Sequence, residues 1–102
     1  MAFLLYLAME YNTYILQSEL SGTFYIGQTQ NINKRIETHN AGKNKSTKAK
    51  RPWKLFAIFK TNTRAEAIAL ENKLKKMKKR QAIINYALKN NSYKPEVDSP
   101  EN

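Results

Sequence analysis

Two stretches rich in β-branched and aromatic residues, Tyr11 to Ser18 (Tyr-Asn-Thr-Tyr-Ile-Leu-Gln-Ser) and Thr23 to Thr29 (Thr-Phe-Tyr-Ile-Gly-Gln-Thr), flank a connection containing Ser21-Gly22. Strand-forming runs this close in sequence find their first partner in each other, so an antiparallel hairpin is the feature around which the rest of the chain must be arranged. The connection Glu19–Gly22 exceeds the two-residue minimum. It predicts a longer loop or bulge, with Gly22 free to adopt a positive φ.

After the hairpin the periodicity changes. Ile32 and Ile36 with a polar opposite face predict a helix, capped by Asn31 and ending near Asn40-Ala41-Gly42. Trp53 to Phe59, entered through Pro52, reads as a third strand. Thr63 and Glu66 have the spacing of a capping box, and Ala67, Leu70, Leu74 and Met77 form the inward stripe of a second helix. Apolar residues resume at Ala82–Leu88 as a third helix or a continuation docking on the sheet. The expected fold is α+β, a small three-stranded, mostly antiparallel sheet flanked by helices. Residues 1–10 read as an apolar extension, with Met9 an alternative start, 11–90 as the domain, and 91–102 as a flexible polar tail.

A chain of 102 residues holds about one hydrophobic core. With no cysteine and one histidine, disulfides, zinc fingers and multi-histidine metal sites are excluded. The apolar run Phe3–Met9 is far short of the roughly 20 residues that span a bilayer, so the expectation is a soluble, cytoplasmic chain with no membrane partner.

Lys and Arg number 18 against 8 acids, for a net charge of +10. The imbalance is segregated: eight basic residues and no acid lie between Thr38 and Ala65, and eight more and no acid between Asn72 and Pro95. Charge concentrated in this way suits a polyanion, with affinity falling steeply in salt as counterions are released. Lys43, Lys45, Lys48, Lys50 and Arg51, in a stretch with little to bury that reads as an exposed loop, together with Lys54 are the candidate nucleic-acid contacts. The alternative is a merely solvated lysine-rich face.

Few residues could carry chemistry. Arg35 and His39, four apart, project from one face of the first helix. Tyr14 and Tyr25 lie on paired strands and could face one another, or could simply pack. Glu71 sits at the edge of the second helix's apolar stripe, where pairing with Lys75 is the competing use.

Asn12-Thr13-Tyr14, then Tyr25-Ile26-Gly27-Gln28-Thr29, then Arg35, His39 and Glu71, resembles the GIY-YIG endonuclease superfamily over residues 11–88. It resembles in particular the small single-domain bacterial members similar to the catalytic module of the excision-repair nuclease. Ser46-Thr47-Lys48 and Arg51-Pro52-Trp53-Lys54-Leu55 resemble the loop and third strand of those members. Of the first family triplet only the tyrosine is matched.

The resemblance implies a GIY-YIG nuclease-like fold and a metal-dependent endonuclease cutting DNA phosphodiester bonds. Tyr14 and Tyr25 would line the site, Arg35 would contact the scissile phosphate, and Glu71 would bind Mg²⁺ or Mn²⁺. A tyrosine oxygen would act as general base, and His39 would orient the water or a tyrosine hydroxyl, or hold a phosphate. Without an attached DNA-recognition domain, selectivity would come from substrate shape or a protein partner, as in DNA repair or recombination. A non-catalytic DNA- or RNA-binding module on the same fold is the alternative, and a basic protein-interaction or ribosome-associated scaffold a third reading.

Overall fold

The computed structural model describes residues 10–92. Most of the apolar extension expected over 1–10 and most of the tail expected over 91–102 lie outside the described residues. Strands β1 (Tyr11–Ser18), β2 (Phe24–Thr29) and β3 (Trp53–Thr61) form one sheet in the order β2-β1-β3, antiparallel throughout. Helix α1 (Ile32–Asn40) follows β2, a 3₁₀ turn (Lys48–Lys50) precedes β3, and α2 (Arg64–Lys76) and α3 (Arg80–Asn90) complete the described chain.

The hairpin strand β1 is central because both of its faces are apolar enough to be covered. Ile15 joins Ile26, Ala57 and Phe59 beneath Leu74, Ile83 and Ala87 of α2 and α3. On the opposite face Tyr14 and Leu16 pack with Trp53 against Ile32 and Ile36 of α1. Helices therefore cover both sides of the sheet, and a residue's parity in β1 decides which layer it joins.

The capping signals operate as the sequence predicts, with one change of partner. Asn31 Oδ1 accepts from the Lys34 amide at 3.1 Å, and Thr63 Oγ1 accepts from the Glu66 amide at 3.1 Å. Glu66 reaches back to the amide of Asn62 at 2.9 Å, one residue before the cap itself. The apolar stripe of α2 stops at Leu74. Met77 is the extended cap residue, and α3 starts afresh at Arg80 as a separate helix. Thr13 Oγ1 donates to the Ala67 carbonyl at 2.7 Å, which fixes α2 against β1 one turn before Glu71. Asn91 and Ser92, placed by the sequence reading in the free tail, instead bind the edge of β3: Ser92 N–H donates to the Ile58 carbonyl at 2.7 Å and Asn91 Oδ1 accepts from the Ile58 amide at 2.9 Å.

Candidate active site

Tyr14 pairs across the hairpin with Gly27, and Tyr25 with Leu16. The two tyrosines share a face on diagonal positions, with ring centroids 6.3 Å apart and planes inclined at 36°. The Tyr14 ring passes directly over Gly27: a Cβ added there would lie 2.6 Å from the phenol oxygen and 2.7 Å from Cζ. The glycine is required by this close approach, since its backbone does not have the positive φ of Gly22 and Gly42.

The phenol of Tyr14, wholly buried, ends at two residues of α1. Arg35 Nε donates to its oxygen at 3.4 Å, and His39 Nε2 lies 3.2 Å away. The proton directions follow from the phenol. Neutral and accepting from Arg35, it has its own proton to place, and His39 Nε2 at 3.2 Å is the acceptor, which puts the ring proton on Nδ1, 2.9 Å from Thr47 Oγ1. The Asn44 carboxamide is also 3.2 Å from Nδ1, and this tautomer turns its oxygen toward the ring, an orientation interchangeable with its nitrogen by an amide flip. Arg35 to Tyr14 to His39 to Thr47 thus form a chain in which every donor has an acceptor.

The electrostatics agree with these directions. Burial raises the Tyr14 pKa above 10.0, the hydrogen bond from Arg35 opposes it, and Tyr25 and Glu71 add to the rise. Burial, reinforced by the charge of Arg35, lowers the His39 pKa below 6.5. At neutral pH the pair is a phenol donor facing a neutral imidazole acceptor. Tyr25 closes the other side, its ring 4.8 Å from that of His39 in an edge-on arrangement and 6.2 Å from that of Trp53. His39 is as fully enclosed as Tyr14, both 0% exposed.

Glu71 lies on α2, its side chain only 18% exposed, and Lys75 Nζ is 2.6 Å from its Oε2, so the i,i+4 pair foreseen as the competing use is formed. Its charge nevertheless acts on the Tyr14 phenol. Among the described residues no cluster of three or more acidic, histidine or cysteine side chains could cage a metal. Glu71 is a partly buried oxygen donor of the kind a hydrated divalent cation could use together with a substrate phosphate, and it could do so only by giving up Lys75.

Arg35 opens onto solvent through two adjoining hollows. One, of about 240 Å³, is lined by Tyr11, Gln28, Thr29, Gln30 and Arg64 as well as Arg35; the other, of about 160 Å³, by Thr29, Asn31, Lys34, Arg35 and Thr38. Arg64, one of the eight basic residues between Thr38 and Ala65 but not among the expected contacts, since at the start of α2 it looks like any exposed helix residue, is a second guanidinium at the cleft. Asn12, two residues before Tyr14 and therefore on its face, is buried with an Oδ1 that has no hydrogen-bond partner.

Lys43, Lys45, Lys48, Lys50, Arg51 and Lys54 are all exposed. Lys45, Lys48 and Arg51 share one cleft of about 580 Å³, which the other three do not line. The loop carrying them is largely exposed, as expected, with one exception. Thr47 is buried, binding His39 through its hydroxyl and accepting from Trp53 Nε1 at its carbonyl at 2.9 Å. Nothing in the local lysine pattern marks a threonine for burial; its partners come from α1 and β3. The side chain of Asn40 also escaped sequence reading. It bonds both backbone groups of Trp53, at 2.6 Å to the amide and 2.9 Å to the carbonyl, and so joins α1 to the start of β3.

The sheet, with two tyrosines, an arginine and a histidine beside its hairpin, lies within the segment 10–85 that the family model for the GIY-YIG catalytic domain matches. The chain belongs to the GIY-YIG family. It is similar to UPF0213 protein SAG0778 of Streptococcus agalactiae, 40% identical over 74 residues that cover 72% of this chain and 82% of the relative. UPF0213 protein YazA of Bacillus subtilis is 35% identical over 71 residues, 69% of this chain and 72% of the relative. The solution NMR structure of UPF0213 protein BH0048 from Bacillus halodurans superposes with a TM-score of 0.51 at 30% identity, over 83% of this chain and 90% of that one. Among the described residues no helix is long and apolar enough to cross a membrane.

Proposed function

We propose that the chain is a divalent-cation-dependent endonuclease that hydrolyses DNA phosphodiester bonds, selecting its substrate by shape or through a protein partner, in DNA repair or recombination. The observation that carries this reading is the directed hydrogen-bond chain Arg35–Tyr14–His39 beside a solvent-open cleft.

The scissile phosphate sits at Arg35, whose charge offsets the negative charge that builds on the phosphoryl oxygens during attack. A water attacks phosphorus as the P–O bond to the leaving sugar oxygen breaks, and the leaving oxygen takes a proton from solvent. The water's proton goes to the Tyr14 oxygen, which engagement of Arg35 by the substrate must first uncover, as the phenol proton passes to His39 Nε2. This transfer spares Tyr14 from having to exist as a phenolate, which its burial and Glu71 both disfavour. Glu71 would hold Mg²⁺ or Mn²⁺, which when bound supplies Lewis-acid polarisation of the phosphate. Tyr25 walls the site and excludes water from the imidazole. Lys43, Lys45, Lys48, Lys50, Arg51 and Lys54 supply the positive surface for the backbone.

The test is incubation of purified protein with nicked, branched and single-stranded DNA in Mg²⁺ or Mn²⁺, beside Glu71→Ala and Arg35→Ala. Each variant is expected to lose about 10²–10³-fold in cleavage rate, the cost of removing one group that stabilises a transition-state charge. Cleavage unchanged in both overturns the assignment. A second reading, a DNA- or RNA-binding module that does not cut, is favoured by the engagement of Glu71 with Lys75 at 2.6 Å. It predicts salt-sensitive binding that survives Glu71→Ala and no product with either metal.

A further inference from the structure

A second hollow, away from Arg35, lies beyond the C-terminal end of α1, about 580 Å³, lined by Asn40, Lys45, Lys48, Ala49, Arg51 and Pro52, three of them cationic and none acidic. Arg51 is held in it. Its Nε donates to the Lys48 carbonyl at 2.8 Å, and its guanidinium is pressed against Gly42, where a Cβ would stand 2.7 Å from Nη1 and 3.1 Å from Cζ. Gly42 has φ +78°, so both the conformation and the space demand glycine. With Nε committed to the backbone, the Nη donors remain for a ligand, and the guanidinium loses little rotamer freedom on binding one.

The loop that bears these cations is fastened at several points. Thr47 is buried between His39 and Trp53, Ser18 Oγ donates to the Lys50 carbonyl at 2.6 Å, and the Glu19 amide donates to the Pro52 carbonyl at 2.8 Å. A lysine-rich segment that served only for solubility would need none of these ties.

We propose that this cleft is a second phosphate-binding site, at which Arg51, assisted by Lys45 and Lys48, holds a backbone phosphate of the nucleic acid away from the one at Arg35. Asn40 and Arg35 are five residues apart on α1, about 7.5 Å along the helix axis and about 140° around it, so the two clefts flank one helix on different faces and a strand engaging both would have to wrap around it. The site rests on the nucleic-acid reading above but not on cutting.

The experiment measures binding of a single-stranded 12-nucleotide DNA by fluorescence anisotropy in EDTA, over a series of salt concentrations. Wild type, Arg51→Ala, Arg51→Lys and Lys89→Ala are compared, the last removing one exposed charge on α3 as a control. Thermal melting establishes that each variant is folded. In Arg51→Ala the slope of log affinity against log salt is expected to shrink by about 0.7, the value for one phosphate left unneutralised on a single strand. Affinity should fall several-fold more than in Lys89→Ala. Arg51→Lys should keep most of the slope and lose part of the affinity, since an ammonium cannot reproduce the fork. In parallel, pyrophosphate should shift the backbone amide resonances of Gly42, Lys48 and Arg51 in wild type and leave them unmoved in Arg51→Ala. If wild type binds the DNA and Arg51→Ala matches Lys89→Ala in affinity and slope, the second site is wrong while the nuclease reading stands. If wild type does not bind DNA at low salt, the nucleic-acid reading fails and takes this site with it.

Discussion

Replacing Gly27 by alanine puts a methyl group 2.6 Å from the Tyr14 phenol oxygen and 2.7 Å from Cζ. Ordinary contact begins near 3.4 Å, so the ring must withdraw by about 0.8 Å or β2 must bow outward. Tyr14 is fully enclosed and has no free space to enter, which makes this an overpacking substitution costing about 1–3 kcal/mol. For a domain of this size each kcal/mol lowers Tm by about 4–8 °C. The consequence for the site is larger. The bonds from Arg35 and to His39 are already 3.4 and 3.2 Å long, and His39 cannot follow the phenol because Thr47 holds its other nitrogen. Displacement on this scale breaks both bonds and should lower the cleavage rate about 10²-fold. Thermal denaturation, DNA cleavage in Mg²⁺ and the ¹⁵N shift of His39 Nε2 together read the outcome, the last without any reference to activity. Adding Tyr14→Phe removes the 2.6 Å approach and leaves the one at Cζ, so it should recover only part of the lost stability. A Gly27→Ala protein with wild-type Tm and an unchanged His39 Nε2 resonance would refute the argument.

His39, neutral in the fold with its pKa below 6.5, makes stability depend on acid. Its contribution is fully present above the ordinary histidine value and declines as pH falls below 6.5 toward the folded pKa, because there the unfolded chain binds the extra proton. Urea denaturation between pH 8 and 5 should show this decline in wild type and a flatter profile in His39→Gln; a wild-type profile as flat as the variant's would contradict it. Asn40→Ala removes two bonds to the Trp53 backbone and should cost about 1–3 kcal/mol, with faster exchange of the Trp53 amide. Asn40→Asp, which keeps the acceptor and loses the donor, should fall between the two, and an Asn40→Ala protein as stable as wild type would exclude the clamp.

The elements were legible in the sequence wherever a local rule governs them. The hairpin followed from two adjacent strand-forming runs, and the helix starts from Asn31 and Thr63, whose side chains act within a few residues of their own positions. The residues that gather at the site were legible through their resemblance to a family. What bonds they make was not, because those depend on pairing across the sheet. That Tyr14 faces Gly27, and so needs a glycine there, is a fact of register between β1 and β2. Burial of Thr47 inside a run of lysines depends on His39 and Trp53 meeting it from two directions. Charge composition identified the basic loop but could not separate Arg51, wedged against Gly42, from neighbouring cations free of such a constraint.

Thr47 has its hydroxyl on the imidazole and its carbonyl on the indole of Trp53, so the lysine-rich loop and His39 are parts of one mechanical unit. Insertions or deletions in this segment can be absorbed only on either side of that threonine. A redesign that exchanged the whole loop to change substrate preference would also unseat the histidine, so new specificity is better sought by recolouring the exposed lysines one at a time than by grafting.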